Sequence, residues 1–452
     1  MTVNVKDISL DVIRESIKEN KRDFLQEIIN ELYPADIAEY IDDLNLEEAK
    51  YLYTLLEKEE AAAVLMELED DVRERFLDSF SSQEIAHEFI NNLDSDDAAD
   101  LISELPQEKR EEVLSHLEDR RQAQDIADLL VYSSNSAGGL MAKEFIKVNV
   151  NWHVVTCIRE MRKQAEEVEE VYTVYVVDDN DVLLGLLSLK KLLIASPRAK
   201  VAELYSPDIV SVKATQKGEE VANLMNKYDM VVMPVLDELG RLIGRITIDD
   251  VVDFIKEEAE KDYQMMSGMT QNIESGDKIW EIMQGRLFWL VVALFGGIIG
   301  SRVVANYEEQ IGMYPEMAFF MALIPAMAGN VGVQSSALIV KGLANHSLSA
   351  GILPKLWKEA SVGFINGLVC SGILLMYSFF FAPSLALSIT VSVSLMTVIM
   401  FASIFGTFVP LALDRLKIDP ALATGPFITT SNDIIGLFIY FMIGRMMYGI
   451  FM

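Results

Sequence analysis

The chain has little of the residues that build thiolate, disulfide or imidazole chemistry. Its 2 cysteines, Cys157 and Cys370, and 4 histidines, His87, His116, His153 and His346, are scattered without ligand spacing. That excludes a disulfide framework and makes a sulfur- or imidazole-bound zinc site an unsuitable reading. No phosphate-cradling Gly-rich loop and no Ser/His/Asp set is visible, so the sequence does not read as an enzyme. Positive charge is also scarce: 38 Lys+Arg stand against 69 Asp+Glu, a formal net charge of −31. Such a surplus repels nucleic acid and anionic lipid and favours cations or basic partners. It is confined to one end. Residues 1–280 hold the whole excess, while residues 281–452, with 8 acidic and 8 basic side chains, are neutral and apolar. Surface solvation accounts for part of the acidity. The start of the chain is polar and lacks an apolar signal core, so residues 1–280 are expected in the cytosol.

What the neutral part does have is long apolar runs. A bilayer core takes about 20 apolar helical residues to cross, and the stretches 287–304, 317–343, 362–381, 385–413 and 421–452 qualify. A buried soluble helix can mimic one such run; five in succession predict a membrane domain. Lys278 and Arg286 precede the first run, Lys341, Lys355 and Lys358 surround the second loop, and Arg415 with Lys417 fill the fourth. The loops at 308–316 and 382–384 have no basic residue. Basic loops stay inside, so the expectation is a multi-pass protein of the cell (inner) membrane, N-terminus cytoplasmic and C-terminus outside. Arg302 and Arg445, near outer ends, can snorkel.

A charge within a span is informative because burying it unpaired costs at least a few kcal/mol. On this reading only Asp433 lies deep in an apolar run, inside the polar stretch Thr429-Thr430-Ser431-Asn432-Asp433. A carboxylate capped by hydroxyls for packing is the plain alternative; its depth favours an ion pathway. Oxygen ligands suit a hard divalent ion such as Mg²⁺, which keeps several waters and is usually held by one or two carboxylates. One Asp433 cannot neutralise that ion, but two facing a twofold axis can, so a homodimeric pore is expected. In the second run Asn330 and Gln334 stand four apart on one helical face. Gly329 and Gly332 beside them permit close backbone approach or a break next to water. These two amides are expected to line the path, although small residues also serve packing alone.

The acidic part divides. Residues 1–130 read as short amphipathic helices in a solenoid-like array, with recurring acidic and small-apolar groups such as Asp36-Ile37-Ala38, Asp97-Ala98-Ala99 and Asp125-Ile126-Ala127. From 137 to 257, β-rich runs at 171–177, 182–187, 209–212 and 231–235 alternate with helical stretches, and residues 175–192 and 234–251 are two copies of one pattern. This resembles a tandem pair of CBS modules. In nucleotide-binding CBS pairs a Thr and the Asp three residues later hold ribose and phosphate, which match Thr247 and Asp250. The first copy has Ser188 and Lys191 instead, so the resemblance implies at most one adenosine site, for ATP or a relative. Residues 250–262 should then run as one helix toward the membrane. Asp250, Asp253 and Glu257 share a face of it, where like charges destabilise the helix unless a cation bridges them; a solvated face is the alternative.

The order of these parts, with Gly329-Asn330-x-Gly332-x-Gln334 and Asp419-Pro420-Ala421-Leu422 ahead of Asp433, resembles the MgtE family of bacterial Mg²⁺ channels over nearly the whole chain. The fold so implied is multi-domain: an all-α acidic helical-repeat N domain (1–130), an α/β tandem CBS pair (131–255), a long linking (plug) helix and connector (256–283) and a five-helix transmembrane domain (284–452). The resemblance further implies that Asp433 holds hydrated Mg²⁺ with help from a carbonyl at Thr429, and that Asp419 lines the inner mouth. Sensor carboxylates fall on Asp96, Asp100, Glu219, Asp229, Asp250, Asp253, Glu258 and Asp262. Lys261 stands where the family has another sensor carboxylate, and Gly425 where a relative can carry a polar residue. The expected activity is Mg²⁺ conduction by a homodimer that internal Mg²⁺ closes. A coupled carrier for Mn²⁺ or Co²⁺ and a membrane-anchored sensor that transports nothing are the rivals.

Overall fold

Frequent caps and breaks keep the N-terminal helices short. Pro34 opens the helix Pro34–Asp42, Asn45 accepts from the Glu48 N–H at 3.0 Å, and Ser81 and Glu84 cap each other. The helices between Leu10 and Leu129 are mostly eight to ten residues long, and several, such as Leu10–Lys18, Arg22–Ile29 and Arg120–Leu129, turn an apolar stripe inward. Ile41, Leu65, Phe76, Phe89, Ile102 and Ile126 are fully buried there. The computed structural model describes residues 9–166, 168, 171–270, 273, 278–344, 352–382, 384–423 and 425–451, and His346 lies outside them. It divides into two units, Met1–Glu257 and Glu258–Met452.

In the first unit two three-stranded sheets follow the helices. One has β1 (Ile146–Asn149) parallel to β2 (Val174–Val177), which pairs antiparallel with β3 (Leu183–Leu187). The other repeats this with β4 (Val212–Lys213), β5 (Val232–Leu236) and β6 (Leu242–Thr247). The equivalent registers Val174↔Leu187 and Val232↔Thr247 make the internal duplication physical. β4 is shorter than the expected 209–212 because Ser206 bridges to Leu186 of the other sheet and Pro207 cannot donate to a ladder. The halves interlock: Ala142 bridges to Arg245, and the Ala137 and Gly138 N–H groups donate to the carbonyls of Gln216 and Ala214. Met141, Val212, Val235 and Ile246 therefore join the same core as the helical part.

The linking helix Ile248–Met266 leaves β6 directly and continues from the first unit into the second. Among the described residues of the second unit, five helices have the length and hydropathy to cross a membrane: the first span Ile279–Asn306, the second ending in Leu323–Ala344, the third Ile352–Phe381, the fourth Leu385–Arg415 and the fifth Pro426–Phe451. The 3-10 turn Pro315–Phe320 precedes the second, and another, Pro420–Ala423, precedes the fifth, so the run expected from 421 begins its α-helix at Pro426. The fourth span is central, with Val391, Val398, Ile399 and Ala402 inaccessible. The first is peripheral: it buries Gly285, Gly296 and Gly300 and exposes Leu290, Leu294 and Phe295, as a lipid-facing helix does. Tyr440 in the fifth span donates to the Met317 carbonyl at 2.8 Å, satisfying a hydroxyl that hydrocarbon would leave bare.

Candidate ion pathway and acidic sensor

In the membrane unit the fifth span brings Asp433 and Thr429 to the second span beside Gly329, the residue before Asn330. A Cβ built on Gly329 would stand 3.6 Å from Asp433 Oδ1 and 3.3 Å from Thr429 Cγ2. The missing side chain of Gly329 thus lets Asp433 and Thr429 approach the second span. Thr429 Oγ1 donates back to the Gly425 carbonyl at 3.2 Å. Asn330 and Gln334 are exposed, one turn apart, on the second span, and Asp433 and Thr429 are half-buried. Asp419 stands just before the Pro420–Ala423 turn, where its Oδ1 accepts from the Ala421 N–H at 2.8 Å. Asn432, beside Asp433, approaches the same span at Gly332; it is fully buried, and among the described residues neither atom of its carboxamide has a hydrogen-bond partner.

A second acidic site lies in the first unit. The helix Ser95–Glu104 is fixed at both ends: Ser95 Oγ donates to Glu144 Oε2 at 2.8 Å, and Arg73 forks onto Glu104 with contacts of 2.6 and 3.1 Å. Its free face presents Asp96, Asp97 and Asp100 to the start of the linking helix. Loss of hydration and the nearby Asp250 push Asp96 well above the usual carboxylate range, and Asp97 up to about 7. Loss of hydration, then Glu257 and Glu104, push Asp100 to about 7. Asp250 is itself raised by burial, although the Thr247 N–H, at 3.0 Å, and the Thr247 hydroxyl both donate to its Oδ2. Carboxylates crowded this way need a proton or a hard cation between them. Oxygens of Asp94, Asp96 and Glu144 come within 4.8 Å of one another, close enough to share an ion.

Not every expected sensor residue joins this cluster. Asp253 faces solvent. Glu219 is in the first turn of the helix Gly218–Tyr228 and Asp229 caps its far end with φ 51°, so the two stand about 15 Å apart along the axis. No single ion bridges them within one chain. In the second unit Glu258 pairs with Lys261 at 2.9 Å. That hydrogen bond, with the charges of Glu258, Asp419 and Asp262, raises the Lys261 ammonium above its usual range.

The chain is similar to known proteins over nearly its whole length. The chain is 32% identical over 444 residues to the magnesium transporter MgtE of Thermus thermophilus, covering 96% of this chain and 97% of that one. It is 31% identical over 422 residues to the magnesium transporter MgtE of Bacillus subtilis, covering 93% of each. The chain belongs to the MgtE family. The family's divalent cation transporter model matches residues 321–443, its intracellular N-domain model 32–135, and the CBS model 137–198 and 201–257. Among solved structures, the cytosolic domain of the Mg²⁺ channel MgtE in complex with ATP is 35% identical, with TM-score 0.51, over 54% of this chain and 100% of that one. The soluble part of a magnesium transporter is 27% identical, with TM-score 0.50, over 55% of this chain and 98% of that one. The architecture expected from the order of the parts, an N domain, a CBS pair and five membrane helices, is therefore that of an MgtE chain.

Several polar residues of this MgtE chain escaped the sequence reading. Asp94 and Asp97 were signalled by the acidic run around Asp96, but Glu144, ahead of β1, carries no local signal. Asp433 is not the only carboxyl inside a membrane helix: the third span starts at Ile352, ten residues before the apolar run expected from 362, and so includes Glu359, which is buried at 6% exposure. Hydropathy placed Glu359 outside the span because Lys355 and Lys358 stand just before it.

Proposed function

We propose that two copies of this chain form a Mg²⁺ channel of the cell (inner) membrane, with the N-terminus cytoplasmic and the C-terminus outside. Domain boundaries are placed at 130, 255 and 283. Asp433 is the central ion-pathway residue, assisted by Thr429, with Asn330 and Gln334 along the same wall and Asp419 at the inner mouth. The observation that carries this reading is the approach of Asp433 and Thr429 to the side-chain-free face of Gly329, next to Asn330. It puts a carboxylate and neutral oxygen donors together, the set that suits a hydrated hard cation. The names of the family and of its relatives supply the ion.

Asp96, Asp100 and Asp250 form the core of the cytoplasmic sensor, and Glu219, Asp229, Asp253, Glu258 and Asp262 complete it when domains or subunits meet. Their mutual repulsion opposes the compact arrangement, and a divalent cation at those carboxylates removes it, so high internal Mg²⁺ favours a closed pore. Thr247 and Asp250 are the adenosine nucleotide site. A related cytosolic domain solved with ATP supports nucleotide binding, and Asp250 is then shared by nucleotide and sensor. Flux of Mg²⁺ into liposomes holding purified protein tests the proposal: Asp433→Asn keeps the shape and should abolish flux, and near-normal uptake by that variant removes Asp433 from the pathway.

A further inference from the structure

The polar junction at Glu359 has no part in conduction as described above. Glu359 lies seven residues, about 10 Å, into the third span and is 6% exposed. Its Oε2 accepts from Ser335 Oγ of the second span at 3.2 Å and, more weakly, from Ser403 Oγ of the fourth at 3.5 Å. The single Ser403 hydroxyl proton is shared with the nearer Glu359 carbonyl, at 3.0 Å, and Ser403 Oγ lies 3.4 Å from Ser335 Oγ. Ser335 is 6% and Ser403 1% exposed, so the junction is dry. One turn on, a Cβ at Gly363 would come 2.8 Å from Ser403 Cβ, which brings the third and fourth helices into close contact at this level.

Packing alone does not need a carboxyl here. An ionisable group within a span is costly, and where it persists it has a partner and a task. The partners are hydroxyls. Lys355 and Lys358 precede Glu359 on its own helix, Lys341 lies beyond Ser335 on the second span, and the fourth span has no charge from Leu385 to Leu413. What the carboxyl grips is the residue next to Gln334. Ser335 is buried against the third span while Gln334 and Asn330 are exposed on another side of the same helix. Turning the second span about its axis breaks the Ser335 hydrogen bond and swings both amides together.

We infer that Glu359 is a positioning residue for conduction: by accepting from Ser335 and Ser403 it sets the rotation of the second span, and with it the aim of Asn330 and Gln334. The inference rests on the reading that this span lines the ion path. A carboxamide can accept the same two hydroxyl bonds, so charge is not required. The test uses full-length protein in liposomes, with Glu359→Ala, Glu359→Gln, Ser335→Ala and the Glu359→Ala/Ser335→Ala pair. Two readouts are taken: the Mg²⁺ flux with its ratio to Ca²⁺ flux, and the rate at which a water-soluble thiol reagent labels Gln334→Cys when Cys157 and Cys370 are serine. Expected is a fall of about tenfold in Mg²⁺ flux for Glu359→Ala and Ser335→Ala, a changed Mg²⁺ to Ca²⁺ ratio, and no further loss in the pair. Glu359→Gln should stay within about threefold of wild type, and the labelling rate should change in Glu359→Ala but not in Glu359→Gln. Wild-type flux, ratio and labelling in both alanine variants overturn the inference, and so does Glu359→Gln behaving like Glu359→Ala. Labelling needs no transport. A wild type that passes no divalent ion therefore defeats the channel reading, while the labelling comparison still decides the role of Glu359.

Discussion

Gly332→Ala is the most exacting test of how the second and fifth spans meet. The added Cβ would lie 2.0 Å from Asn432 Nδ2 and 2.8 Å from Ile428 Cγ2. Ordinary carbon contacts lie at about 3.5–4.0 Å, so the overlap with the carboxamide exceeds an ångström. Asn432 cannot step aside freely, because it is fully buried. Relief must come from separating the spans or from turning the fifth, which carries Asp433 one residue on. Overpacking of this kind typically costs about 1–3 kcal/mol, which lowers the population of the competent arrangement about 5- to 150-fold. Mg²⁺ flux per folded protein in liposomes should fall within that range. Gly372→Ala is the control, since a Cβ there meets nothing within 4 Å, and it should conduct as wild type. Wild-type flux in Gly332→Ala would mean that the close approach at Gly332 does not hold in the functioning protein.

A second glycine pair repeats the logic at the first span: Gly296→Ala, whose Cβ would come 1.9 Å from Thr430 Cγ2, should lower the thermal midpoint in detergent by several degrees, whereas Gly297→Ala, with nothing within 4 Å, should not. Asp97 and Asp100, held near 7 in the folded unit against an ordinary value near 4, bind more protons folded than unfolded between those limits. Compaction is then fully favoured at low pH and lost as pH rises toward 7. In chelator, proteolysis within the linking helix should be slower at pH 5.5 than at pH 7.5, and millimolar Mg²⁺ should remove most of the difference; equal rates in chelator would refute the crowding. Lys261→Glu removes the ammonium that pairs with Glu258 and sits in the field of Asp419, and should steepen the dependence of closure on Mg²⁺ in patch recordings, a dependence left as in wild type counting against any sensing role for this helix. Asp250→Ala should lose adenosine nucleotide binding by calorimetry; unchanged binding would place the nucleotide elsewhere.

Much of this molecule is readable before folding is considered. Hydropathy summed over twenty or so residues is a property of composition, so the five spans and the acidic, neutral division of the chain were legible directly. The duplicated pattern at 175–192 and 234–251 predicted the two matching sheets, because strand, turn and helix cues are local. Pairs at helical spacing, such as Asn330 with Gln334, share a face on any helix. Tertiary structure decided which faces meet. Only packing turns Asn432 inward and brings its neighbour Asp433 to Gly329. Only the fold draws Glu144 to Asp94 and Asp96, some fifty residues away in sequence, and sets Asp250 against the helix that begins at Ser95. Glu359 shows the limit most clearly: the lysines just before it make it look like an inner loop residue, and its burial follows from close helix packing at Gly363 and from two serines on other spans. Local propensities follow from each residue and its near neighbours, whereas burial and charge crowding depend on residues distant in the chain.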